Sequence, residues 1–250
     1  MPRTPIVAGN WKMNTTLGTA RALAWDIKEA RLDSIAGVEK ILCPPFVYLP
    51  AVAEIAKGTT LKVGAQDVFW EEKGAFTGEV STGMLGDFCT HVIIGHSERR
   101  AMFGDTDEIV AKKLAAVIAS GLTPILCVGE TGSERQAGQT EDVLRRQVEA
   151  ALRGVEFPDT AVIAYEPVWA IGTGVAATAQ DANEAIAFIR GELARHKGAA
   201  TADAVRILYG GSVTPANIKE IVGQPEVDGG LVGGASLDAN SFAEMVRAIG

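Results

Sequence analysis

The chain has 250 residues, 47% of them hydrophobic and 22% charged, the make-up of a well-buried globular fold. That length suits either two ordinary domains or one barrel of alternating strands and helices, and no apolar run approaches the ~18 residues of a membrane span. The net charge of −8 argues against a nucleic-acid partner, because binding a polyanion requires a clustered basic surface.

The N-terminus, Met1-Pro2-Arg3-Thr4-Pro5, runs straight into a strand-like segment and lacks the apolar core of a signal peptide. Short apolar, β-branched runs then recur at Ile6–Ala8, Glu39–Cys43, Leu61–Gly64, His91–Gly95, Pro124–Val128, Ala161–Tyr165, Arg206–Tyr209 and Gly230–Val232. Amphipathic stretches lie between them. Val110, Leu114, Val117 and Ile118 share one helix face, as do Leu144, Val148, Ala151 and Leu152, and a last helix repeats over Phe242–Ile249. Thr178 with Asp181 predicts a helix N-cap, and Thr214-Pro215 predicts a cap followed by a first-turn proline. Gly58, Gly121 and Gly154 sit where left-handed C-caps are expected. The three cysteines, Cys43, Cys89 and Cys127, lie in apolar surroundings and read as reduced thiols of a cytoplasmic protein.

Eight strand-then-helix units give roughly 31 residues each, enough for a minimal βαβ repeat. Alternation of this kind fits an open doubly wound sheet as well as a closed barrel. The barrel is favoured because nearly all polar and glycine-rich clusters follow strand C-terminal ends, where the loops of a barrel build its active face. The fold class expected is α/β, a (β/α)8 barrel, with residues 1–250 as a single domain.

Five of those clusters carry chemistry. After the first strand comes Gly9-Asn10-Trp11-Lys12-Met13-Asn14, in which Lys12 is either simply solvated or available to an anion. The fourth strand ends Gly95-His96-Ser97-Glu98-Arg99-Arg100. His96 stands before a helix N-terminus, which disfavours imidazolium; a neutral, hydrogen-bond-donating ring and a satisfied core histidine both fit. His91 and His196 have no comparable setting and read as structural. The sixth strand ends Ala164-Tyr165-Glu166-Pro167, followed by the mostly apolar Val168–Gly174. If a lid with a proline at one end and glycines at the other closes over a carboxylate there, desolvation would make it a competent base near neutrality. Finally, Tyr209-Gly210-Gly211-Ser212-Val213 and Val232-Gly233-Gly234-Ala235-Ser236 follow strands seven and eight. Glycine N–H groups backed by helix N-termini form a phosphate site there, so an acidic protein can still hold an anion locally. Gly172-Thr173-Gly174-Val175-Ala176-Ala177 mimics a dinucleotide fingerprint but stands too far from its strand, and no acidic residue closes a following strand. No histidine, cysteine or carboxylate set has metal-ligand spacing, and no G-x-S-x-G elbow occurs.

Together with Gly74-Ala75-Phe76-Thr77-Gly78-Glu79 and Leu231–Leu237, these segments resemble the triosephosphate isomerases over essentially the whole chain. The resemblance implies Glu166 as the carbon-proton base, His96 as the neutral electrophile and Lys12 as the group that steers the dianion and stabilises the enediolate, with Asn10 beside it. It implies phosphate held by N–H groups of Gly172, Ser212, Gly233 and Gly234, a lid over Pro167–Ala177, and neither cofactor nor metal. It further implies a small phosphorylated triose substrate and a homodimer formed through the long Gln66–Ser81 loop, whose aromatic residues Phe69, Trp70 and Phe76 are expected to be exposed, as at an interface. Two positions depart from the family: Val175 replaces the usual lysine of the lid, and Asp67 replaces an asparagine. The nearest rival is another phosphate-binding barrel enzyme, such as a sugar-phosphate aldolase or an isomerase of amino-acid synthesis; a Schiff-base aldolase would need a strand lysine, and no candidate strand carries one obviously suited to that role. A catalytically dead scaffold barrel would have lost Lys12, His96 or Glu166, and all three are present.

Overall fold

The structure is a computed structural model that describes residues 3–170 and 177–250. Eight parallel strands close on themselves in sequence order: β1 (Ile6–Asn10), β2 (Glu39–Cys43), β3 (Leu61–Ala65), β4 (His91–Ile94), β5 (Thr123–Val128), β6 (Val162–Tyr165), β7 (Arg206–Tyr209) and β8 (Gly229–Val232). All eight expected strands are present, within two residues at each end. The helices are α1 (Leu17–Glu29), α2 (Leu49–Ala56), α3 (Thr82–Gly86), α4 (Ser97–Met102), α5 (Asp107–Ala119), α6 (Gly132–Gln136), α7 (Thr140–Leu152), α8 (Ala179–Lys197), α9 (Ala199–Ala204), α10 (Ile218–Val222) and α11 (Ala239–Ile249). The fold is a (β/α)8 barrel. None of the described helices is long and apolar enough to cross a membrane.

Strands covered on both faces read as continuous apolar runs, and alternate residues divide between two cores. Ile6, Ala8, Ile41, Ile93, Ile125, Val162, Ala164, Leu208 and Leu231 fill the barrel interior. Val7, Leu42, Val92, Leu126, Ile163, Ile207 and Val232 pack outward against the helices. The helix faces read from periodicity supply that outer layer: Val110, Leu114 and Val117 of α5 and Leu144, Val148, Ala151 and Leu152 of α7 are buried.

The caps largely follow the sequence. Thr178 and Asp181 form a reciprocal capping box on α8, and Gly58, Gly121 and Gly154 all have positive φ just beyond helix ends. Thr214-Pro215 is a correction: α10 starts at Ile218, and Thr214 instead heads a turn. Asn217 braces that turn: its side-chain oxygen takes the Thr214 N–H (2.8 Å) and its amide donates to the Ser212 carbonyl (3.0 Å).

The N-terminal end of the barrel is closed by charge. Inward-facing positions at the starts of four strands bring Glu39, Lys62, His91 and Arg206 together. Glu39 Oε1 accepts from Lys62 Nζ (2.9 Å) and faces His91 Nε2 at 3.0 Å, while Oε2 accepts from Arg206 (2.9 Å). His91 is thereby structural, as expected. Burial alone would raise the Glu39 pKa, but its hydrogen bond with His91 and the cations beside it hold the carboxyl well below the usual range. Burial pulls the His91 pKa down. Both depressions have the same sign. For each group the stability is fully present above the unfolded-state pKa, about 4.3 for Glu and 6.5 for His, and is lost as pH falls toward the folded-state value. Glu39→Gln is expected to lower Tm at pH 7 by roughly 6–12 °C, taking about 3 kcal/mol for removing one partner of a buried ion pair. The further loss of Tm between pH 5 and 3 should be shallower than in the wild type. Thermal melts across that range check both, and an unchanged Tm at pH 7 would contradict the account.

Candidate active site

The two-residue alternation that fills the barrel also sets its mouth. Continuing the inward positions of β1, β6, β7 and β8 by one step reaches Asn10, Glu166, Gly210 and Gly233. These residues line a cavity of about 250 Å³ together with Lys12, His96, Gly211, Ser212 and Gly234. The residues expected to carry chemistry on strands one, four, six, seven and eight therefore meet in one place. Gly172, with the rest of 171–176, lies outside the described residues. A larger cavity of about 620 Å³ lies behind Glu166, but Lys12, His96 and the two glycine loops are absent from its walls.

Glu166 is only 2% exposed. Its Oε2 accepts the Ser97 N–H at 2.8 Å, and its Oε1 stands 2.9 Å from His96 Nε2. His96 caps α4, and its Nδ1 accepts the Glu98 N–H at 3.2 Å. Burial lowers the proton affinity of the ring, while the Glu166 carboxylate more than offsets this and raises it. The Glu98 amide decides where the proton sits: it occupies Nδ1, so the ring proton is on Nε2, facing Glu166 and the cavity. Beneath the carboxylate, burial and the charge of Glu166 hold the Cys127 thiol protonated. Gly210 is needed beside the base, since a Cβ there would lie 3.0 Å from Glu166 Cγ.

Lys12 adopts a left-handed backbone (φ 53°), a strained conformation for a residue with a side chain. Two neighbours hold it there. Asn10 Oδ1 accepts the Lys12 N–H (3.0 Å), and Gln66 Nε2 donates to the Lys12 carbonyl (3.0 Å) and to that of Cys43 (2.8 Å). The Lys12 ammonium meets Glu98 at 2.6 Å. Across the cavity, Ser236 ties back the Gly233 carbonyl through its hydroxyl (2.7 Å) and its N–H (2.8 Å), turning that dipole away from an anion. Sequence reasoning missed Ser97, Glu98 and Gln66 as partners of the site. The first two stand inside the quoted His96 segment, whereas Gln66 carries no local signal. Among the described residues no group of histidine, cysteine and carboxylate side chains could hold a metal.

The loop from Gln66 to Ser81 differs in part from expectation. Phe76 is exposed, but Phe69 and Trp70 are half-buried and stack on one another (centroids 4.1 Å apart), with Phe76 against Phe69 (4.6 Å). Asp67 is buried, and burial raises its pKa even though Lys113 (2.7 Å) and Arg99 (2.9 Å) bind it. Its local bonding is therefore that of an ion-paired carboxylate.

A family model described as triosephosphate isomerase matches residues 5–249. The chain belongs to the triosephosphate isomerase family. Proteins named triosephosphate isomerase from Moorella thermoacetica, Dehalococcoides mccartyi and a Roseiflexus species are 56%, 52% and 51% identical to it. The matches cover 98%, 97% and 98% of this chain and 98%, 95% and 97% of those relatives. In this member of the triosephosphate isomerase family, Asn10 braces the strained lysine. Asn10→Ala is expected to cost about 1–1.5 kcal/mol and to lower Tm by roughly 2–6 °C. Thermal denaturation checks this; an unchanged Tm would mean that Gln66 alone suffices.

Proposed function

We propose that this chain interconverts dihydroxyacetone phosphate and D-glyceraldehyde 3-phosphate by proton transfer through an enediolate, a step of glycolysis and gluconeogenesis. One observation carries the reading: a buried carboxylate faces the protonated nitrogen of an imidazole at the rim of a cavity walled by Lys12 and two glycine loops. Moving a proton between adjacent carbons needs one base, one polarising donor and a dry pocket. Glu166 takes the carbon proton and returns it to the neighbouring carbon. His96 donates its Nε2–H to the carbonyl oxygen, and Lys12 offsets the charge that develops there. Asn10 keeps Lys12 in position, and N–H groups of Ser212, Gly233 and Gly234, with Gly172 from the lid, hold the phosphate. The substrate replaces the partners that these groups have in its absence: Ser97 and His96 for Glu166, Glu98 for Lys12.

The same reading makes the protein a homodimer through the loop from Gln66 to Ser81. Support comes from exposed apolar side chains that follow strands one to four, neighbours around the ring: Met13, Val47, Phe76, Met84, Met102 and Phe103. A cluster of this kind on one side of a soluble barrel marks a protein interface. The three buried free thiols suit a reducing cytoplasm.

Isomerisation measured with EDTA present should be fast in the wild type and fall by roughly 10³-fold or more in Glu166→Ala, the scale of a lost general base. Equal rates in the two proteins would remove Glu166 as the base. Sedimentation at micromolar concentration should return twice the 26.2 kDa chain mass. Phe76→Asp should shift it toward monomer, and a monomeric wild type would overturn the dimer.

A further inference from the structure

Glu166 is the first residue past the end of β6, so the accuracy of its carboxylate depends on what fixes its backbone. Its N–H donates to Val128 O at 2.8 Å, and two residues later Val168 N–H donates to Glu130 O at 3.0 Å. Gly129 lies between these two contacts, packed against the base itself: a Cβ on Gly129 would stand 1.8 Å from the Glu166 carbonyl oxygen. The peptide groups of successive strand residues point to opposite neighbours. Val128 and Glu130 face β6, and Gly129 therefore faces the side of β4. Among the described residues no strand is there to meet it. The β4–β5 ladder stops at Ile94 opposite Leu126, and at Gly95 (φ 70°) the chain turns away.

Gln147 of α7 fills that place. Its Oε1 accepts the Gly129 N–H at 2.8 Å, and its Nε2 donates to the Gly129 carbonyl at 3.1 Å. A primary amide presents one acceptor and one donor side by side, the same pair that a strand backbone would offer. Gln147 is buried, and both it and Gly129 line the 620 Å³ cavity that also reaches Ser97 and Glu166.

We propose that Gln147 is a positioning residue for the isomerisation, acting through Gly129 to fix the backbone of Glu166. It touches neither substrate nor the reacting atoms. The inference rests on Glu166 being the base, as proposed above. Such a residue should affect kcat and leave substrate binding nearly unchanged, because a displacement of the order of 1 Å at the base costs rate.

The test compares wild type, Gln147→Leu, Glu166→Ala and the double variant Gln147→Leu/Glu166→Ala in the isomerisation assay, with circular dichroism and Tm for each. Gln147→Leu is expected to lose about 10–100-fold in kcat with KM changed less than about threefold. In the Glu166→Ala background the same substitution should change the rate less than about twofold, because the group it positions is gone. A merely structural role would lower Tm and depress activity equally in both backgrounds, and that result overturns the proposal. So does a folded Gln147→Leu with wild-type kcat. Should the leucine variant fail to fold, Gln147→Glu carries the comparison. It has the same length and keeps the acceptor for Gly129 N–H but lacks the donor to the carbonyl. It should lose about 3–10-fold in kcat, again only when Glu166 is present; wild-type kcat there overturns the role as well. An inactive wild type, or a Glu166→Ala variant as fast as wild type, would sink the assignment of the base. An impaired Glu166→Ala beside an unaffected Gln147→Leu would sink only the role of Gln147.

Discussion

The rest of the structure depends on one geometric constraint, the two-residue alternation of strands that must close into a ring. Because both faces of every strand are covered, each residue is committed either to the barrel interior or to the helix layer. The interior positions then stack from end to end. Charged groups of four strands form the floor, Ile6, Ile41, Ile93, Ile125, Val162 and Leu208 the middle, and Asn10, Glu166, Gly210 and Gly233 the mouth. A shift of one residue in β1, β6, β7 or β8 would exchange a member of the site for a residue facing the helices. Closing the barrel and assembling the site are thus a single requirement.

Within the mouth, charged groups are held by backbone amides and by each other. Glu166 takes the Ser97 N–H, His96 takes the Glu98 N–H, and Lys12 takes Glu98. No long-range field is needed, which reconciles an anionic ligand with a chain whose net charge is −8. Glu166, His96 and Lys12, the ionisable groups that meet substrate in the proposed reaction, are each paired: Glu166 with His96 and Lys12 with Glu98. None of the three stands buried and alone.

Strands were legible because parallel strands buried on both faces leave apolar, β-branched runs at regular spacing, each followed by a helix-period stretch. Glu166, His96 and Lys12 drew notice as polar residues at strand exits, which break that pattern, and it was the resemblance to a family that singled them out among such residues; the structure brings the three to one cavity. What stayed hidden was carried by contacts between distant segments. Glu39, Lys62, His91 and Arg206 stand on four separate strands, and each looks by itself like an ordinary strand-end charge. Gln66 and Gln147 bond backbone groups, Lys12 and Gly129 respectively, and a backbone partner has no side chain to read. At Thr214-Pro215 the turn is held by Asn217, whose side chain binds the Thr214 N–H and the Ser212 carbonyl, backbone groups that likewise leave no mark in the sequence. The half-burial of Phe69 and Trp70 depended on their stacking, which the loop's composition does not specify.

The ion cluster around Glu39 has a consequence for traffic. With one end sealed by interlocked charges and the middle filled by packed aliphatic side chains, the barrel is a cup rather than a pipe. Whatever enters at the rim must leave across the same rim. Departure and arrival then queue at one doorway, so a slow-leaving molecule of either kind blocks the next arrival.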